Sequence, residues 1–206
     1  MSAAAAKTPA NACALGIRVH SGWGAAVVVS RGRGGEEVVE RRRIEIISPK
    51  AVGAAQPYHF AQKLAIHAAE QHLARSAAAS ARLAREALGE VIETLKARGY
   101  RIQGAVILLS SGRSLPELAK ILAAHPLIHA AEGEFFRQAF RTACEEMRIP
   151  VIGIRERDLE QQSAAVFGRN AGPLTKRLDA MGKILGPPWT SDQKTAALAA
   201  AIALAQ

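Results

Sequence analysis

The stretch ALGIRVHSGWGAAVVV, residues 14–29, decides the fold. Ala14 to Ile17 and Gly24 to Val29 are apolar runs on either side of a polar turn, His20-Ser21-Gly22. Val27-Val28-Val29 is β-branched, which suits a pleated, buried surface. The glycines of Arg31-Gly32-Arg33-Gly34-Gly35 supply the positive φ that a second hairpin turn needs. Val38 to Ile47 reads as a third strand, ended by Pro49. Three strands joined by short turns make an antiparallel meander.

Downstream the composition changes. Residues 57–98 are rich in Ala, Leu, Glu, Arg and Gln and read as helix. That length predicts a break, placed near Ser76 to Ser80. Leu83, Ala87, Leu88, Val91, Ile92 and Leu95 mark one apolar helical face, and Gly99 is placed to end it. Ala105 to Leu109 is a short, continuously apolar strand, as in a parallel sheet buried on both faces. Ser114-Leu115-Pro116-Glu117 has the spacing of a capping box and predicts a helix to about Ala124. Pro126 predicts the start of another helix, reaching about Met147. Pro150 to Ile154 is a further strand. Gly172 to Leu185 and Ser191 to Leu204 are helical, separated by Pro187-Pro188.

Composition bounds the partners. The chain has 206 residues, 49% hydrophobic, enough for one core. Lys and Arg number 27 against 18 Asp and Glu, leaving +9. That excess fits an anionic partner such as nucleic acid, or a basic solvated face. Cys13 and Cys144 are far apart and read as buried free thiols in a reducing compartment. No apolar stretch reaches the roughly 18 residues of a membrane span. Residues 1–12 lack the apolar core of a secretory signal and read as a disordered tail. The expectation is a soluble, cytoplasmic protein with no membrane partner.

The motifs carry a resemblance. Leu15-Gly16-Ile17, then Ser21-Gly22-Trp23-Gly24 and a valine run, resembles the first hairpin of RuvC-type Holliday-junction resolvases. Ile149-Pro150-Val151-Ile152, leading to Val166-Phe167-Gly168-Arg169-Asn170, is similar to that family's fifth strand and the glycine-containing loop after it. Met181 to Leu185, Pro187-Pro188 and Ala196-Ala197-Leu198-Ala199 resemble its C-terminal segment. The resemblance spans about residues 14–204 and implies one ribonuclease H-like domain over 13–206, with a helical insertion at about 50–76. It implies an α/β fold: a five-stranded mixed sheet, three strands antiparallel and two parallel, with helices on both faces. It also implies a homodimer, and the insertion is expected to pack on a partner subunit.

The family's chemistry holds two divalent cations between carboxylates from the first strand, the end of the fourth strand and the start of the last helix. Here the resemblance puts Arg18 at the first position, Leu109-Ser110-Ser111 at the second and Gln193-Lys194 at the third, with only Asp192 close by. It therefore implies a protein without those acids. Arg18, His20, Ser110, Arg113 and Lys194 are expected to gather donors and positive charge at one cleft, suited to a phosphate or carboxylate. The plainer alternative is a polar loop beside a locally paired strand residue.

Other residues offer different chemistry. His129 and Glu132 lie three apart on one helical face, and Glu134 follows, so acid–base work or a local hydrogen bond are both open. His67-Ala-Ala-Glu70 repeats the spacing, but His72 turns away from it. Arg31, Arg33 and Arg41-Arg42-Arg43 form a basic strip that could follow a phosphate backbone, or a charged edge strand that resists aggregation. No phosphate loop, nucleophile elbow or zinc spacing is present, and no metal or cofactor is expected. The leading expectation is a catalytically degenerate ribonuclease H-like protein that binds nucleic acid or another phosphate-bearing ligand. The alternative is an enzyme using His20, His129, Glu132 and Glu134, with Mg²⁺ or Mn²⁺ as cofactor only in that case. A third reading is a purely structural dimer subunit.

Overall fold

The computed structural model describes residues 11–110 and 114–206. The expected tail therefore falls mostly outside the described residues, and Ala12 already belongs to the first strand. The strands are β1 (Ala12–His20), β2 (Trp23–Gly32), β3 (Gly35–Glu45), β4 (Arg101–Leu109) and β5 (Val151–Arg155). Between and after them come α1 (Pro57–Ala61), α2 (Ile66–Ala97), α3 (Leu118–Leu122), α4 (His125–Glu146), α5 (Leu159–Phe167), α6 (Ala171–Ala180), α7 (Gly182–Leu185) and α8 (Ser191–Ala205). The sheet order is β3-β2-β1-β4-β5. The first three strands are antiparallel, and β4 and β5 run parallel to β1. This is the five-stranded mixed arrangement, three strands antiparallel and two parallel, expected from the sequence.

Both hairpin loops are two residues long. His20 pairs with Trp23 and Gly32 with Gly35, so Ser21-Gly22 and Arg33-Gly34 make the turns. Gly22 adopts φ 81°, a conformation that side chains with a Cβ rarely take.

Successive β1 side chains feed two cores. Cys13, Leu15 and Ile17 face α2 and α4, where Leu88, Phe136 and Phe140 are buried. Ala12 and Ala14 face the other side, where Leu174 of α6 and Ile202 of α8 are buried. Helices cover both faces, which is why β1 reads as almost wholly apolar. Cys13 and Cys144 are free and buried. Burial pushes the Cys13 thiol up to about 11. It pushes Cys144 up to about 12, against a smaller opposing effect of Arg141.

Several local expectations are corrected. No break occurs at Ser76 to Ser80: α2 runs unbroken for 32 residues, and the chain turns earlier, at 62–65. The alanines around 77–81 favour helix, and Ser80 is buried against the core side. The segment at 50–76 is thus α1 plus the first third of α2. It packs within the chain: Ala61, Ala69 and Leu73 form a small core with Tyr58, Leu64, Leu118 and Leu122. Ser114 makes no capping box. Glu117 takes the N-cap position of α3, because Pro116 forces the residue before it out of helical geometry. A true capping box opens α8, where Thr190 and Gln193 satisfy each other's ends. α5 was not expected; beside its buried Leu159 the helix buries a serine, Ser163, and only half-buries Val166 and Phe167.

His72 packs against Phe60, with ring centroids 4.5 Å apart and planes tilted by 36°, and its buried Nε2 has no partner among the described residues. Burial, reinforced by Arg75, holds its pKa below the ordinary 6.5. The unfolded chain therefore takes up this proton first as pH falls, and stability drops below about pH 6.5. His72→Leu removes that loss. Urea midpoints should show the variant gaining on the native sequence between pH 7 and pH 5.5, and a pH-independent gap would refute the assignment.

Candidate functional site

The C-terminal ends of β1, β4 and β5 lie side by side, and α8 begins over them. The capping box fixes the first turn of α8, so Asp192 sits there with its backbone N–H donating to Thr190 Oγ1 at 3.3 Å. An acid is favoured at that position because the first helical turn exposes unpaired N–H groups. Gly16 lets α8 lie directly on β1, and two residues on, Arg18 projects to the same face.

Arg18 is the centre of the site. Its guanidinium grips Glu156 in a fork, Nη2 to Oε1 at 2.6 Å and Nε to Oε2 at 3.3 Å. Its Nη1 donates to Asp192 Oδ1. Burial works against the charge on Arg18, but the hydrogen bonds and charges of Glu156 and Asp192 outweigh it and raise the pKa. His20 Nε2 lies 3.1 Å from Asp192 Oδ1. The His20 ring stacks on Trp23, 4.2 Å between centroids and 11° apart in plane. Arg43 covers the other end, its guanidinium carbon 3.5 Å from the centre of a Trp23 ring. A continuous chain of contacts thus runs Glu156, Arg18, Asp192, His20, Trp23, Arg43.

The cleft differs from the cationic pocket expected. Arg18 and His20 do converge there, but with two carboxylates instead of with Lys194 and Ser110. Lys194 reaches from α8 to Asp179 of α6, at 3.2 Å. Ser110 accepts from Arg137 Nη2 at 2.5 Å; Arg137 is buried on α4 and also reaches Glu134 at 3.4 Å. Arg113 lies outside the described residues. Glu156 and Trp23 are the site members that sequence reasoning missed.

Glu132 does not face this cleft either. It is buried, and its Oε1 accepts from His59 twice, from the backbone N–H at 3.2 Å and against Nδ1 at 2.9 Å. Burial, and then the charge of Glu132, raise the pKa of neighbouring Tyr58.

The basic strip divides. Arg41 reaches across to the segment after α7, donating to the carbonyls of Leu185, Gly186 and Pro188 at 2.6, 2.8 and 2.5 Å. Arg42 points to the opposite face of the sheet, towards Glu40, Glu90 and Thr94. Arg31 is 4.0 Å from Glu36, and Arg43 pairs with Glu45 at 2.6 Å. Arg33 stands exposed at the tip of the β2–β3 turn.

No protein-family model and no curated protein sequence matches the chain. Among solved structures it is similar to Thermus thermophilus RuvC. The identity is 12% over 92% of this chain and 91% of that one, with a TM-score of 0.48. It is also similar to T. thermophilus RuvC in complex with a Holliday junction substrate, at 15% identity over 92% and 90% of the two chains and a TM-score of 0.47. No described helix is long and apolar enough to cross a membrane.

Proposed function

We propose that the protein binds nucleic acid and does not cut it by two-metal chemistry. The observation that carries the second half is the seat of Arg18 between Glu156 and Asp192. A two-cation site needs several carboxylate oxygens directed at the metals. Here the two carboxylates are already engaged by one guanidinium. Two divalent cations would add four positive charges to that of Arg18, against two negative ones. At an effective dielectric of ~20, each like-charge contact at ~4 Å costs about 4 kcal/mol before screening. The donor set does not fit such a pair of ions.

The binding half rests on the +9 charge and on the exposed Arg31, Arg33 and Arg43 of the β2–β3 hairpin, of which Arg43 lies against Trp23 at the cleft and Arg31 and Arg33 stand at the opposite end of the strands. Such contacts neutralise phosphates without reading bases. Aromatic stacking contributes little, because Trp23 is already engaged by the His20 ring and the Arg43 guanidinium.

If three phosphates are neutralised, the log–log salt slope is about −2.7, a roughly 40-fold loss of affinity between 50 and 200 mM salt. Electrophoretic mobility shifts on duplex and four-way DNA should show this, and Arg31→Ala with Arg33→Ala should flatten the slope by about two. Undetectable binding at 50 mM salt sinks the reading. With Mg²⁺ or Mn²⁺ added, junctions, flaps and RNA–DNA hybrids should stay intact. Cleavage that survives repurification and is lost in Glu156→Gln would overturn the non-cutting half alone.

A further inference from the structure

Away from the cleft, three imidazoles meet where α1 folds against the start of α4. His59 comes from α1, and His125 and His129 come from the first turns of α4. Each offers a ring nitrogen, and these atoms all lie within 4.8 Å of one another. Among the described residues no other group of three His, Cys, Asp or Glu side chains converges this way. The rings meet edge-on: centroids are 5.3 Å apart for His59–His125, 4.9 Å for His59–His129 and 4.4 Å for His125–His129. Edge-on packing alone does not require nitrogen atoms to converge, whereas metal coordination does.

We infer that His59, His125 and His129 form a site for a single divalent transition-metal ion of the zinc type, with Glu132 orienting His59. Histidines at i and i+4 present two imidazoles on one helix face, a common two-point attachment for zinc. The third ligand comes from a different element, so the site closes only in the folded chain. Glu132 takes the role that carboxylates hold behind zinc-bound histidines. Its oxygen receives the Nδ1–H of His59 at 2.9 Å, which leaves the Nε2 lone pair of that ring free for a metal. The same oxygen accepts the backbone N–H of His59, fixing both the ring and the turn that carries it. Three neutral nitrogens suit zinc, cobalt, nickel or copper, while magnesium and calcium prefer oxygen. With three protein ligands, the fourth tetrahedral position is left to water, and His125 and His129 are exposed to it.

The inference stands apart from nucleic-acid binding. It also gives the 50–61 segment a purpose: the metal would clip α1 to α4. Protein free of any polyhistidine tag, dialysed against micromolar zinc and then buffer, should retain one zinc per chain. Cobalt in its place should give the intense visible bands of a four-coordinate ion. Free zinc at about 100 times its Kd should raise the melting temperature by roughly 5–10 °C. His125→Ala and His129→Ala remove exposed rings, so the variants should fold normally and lose both the zinc and the shift. Glu132→Gln should weaken binding by roughly 10- to 100-fold. His67→Ala removes an exposed histidine outside the cluster, paired with Glu70, and should change nothing. Less than a fifth of an equivalent of zinc in the native protein overturns the inference. So does zinc retained equally by His129→Ala.

Discussion

Gly16→Ala should lower the melting temperature by at least about 6 °C, a loss of ~3 kcal/mol or more. α8 crosses β1 at this residue. A Cβ built on Gly16 would stand 1.9 Å from the carbonyl oxygen of Ala196 and 2.8 Å from the amide nitrogen of Ala200. Both are backbone atoms in the middle of a helix, so no side-chain rotation relieves the overlap and α8 must move away as a unit. The movement would also carry Asp192 off Arg18 and His20. Circular dichroism melts should therefore show a destabilised protein, and nucleic-acid binding that depends on the cleft should change with it. A melting temperature within 2 °C of the native value would mean that α8 does not bear on β1 in this way.

Phe140→Ala should cost about 3–5 kcal/mol, the usual range for emptying a fully buried aromatic site. The ring has no exposed surface and lies under the first hairpin, so close to Gly24 that a Cβ there would meet its Cζ at 2.8 Å. Denaturant midpoints at unchanged m-value measure the loss. The same contact predicts coupling. Gly24→Ala should be less damaging in a Phe140→Leu background than alone, because the added methyl then enters vacated space. Additive effects would show that the ring and the hairpin are not in contact.

The sheet was legible because its signals are local and repeated. The valine run, the two glycine turns and the apolar 105–109 stretch all describe strands covered on both faces. Pro126 likewise marked α4, since proline fits only the first turn. What escaped were features decided by distant partners. Glu156 sits in the run Arg155-Glu156-Arg157-Asp158, which reads as a solvated loop. Only its place at the end of β5 brings it within reach of Arg18. Lys194 and Arg41 were legible as charges but not as to direction: one reaches from α8 to Asp179 on α6, the other spans to carbonyls at and beyond the end of α7. The spacing of His129 and Glu132 was visible. The partner that counts for Glu132, however, is His59, more than 70 residues earlier, and the i, i+4 pair that His125 makes with His129 went unread.

The contact between Gly16 and α8 joins the first strand of the fold to its last helix. During synthesis β1, β2 and β4 leave the ribosome long before the segment that covers one of their two faces. Until α8 arrives, Val27, Val29, Val106 and Leu108 lack most of their apolar cover on that side, with only residues such as Leu159, Leu174 and Leu178 to rest against. The emerging chain is therefore a half-clothed sheet, prone to stick to other chains. Loss of even the final turns of α8 would leave it in that condition permanently. The helix that closes the fold is also the one that finishes this core.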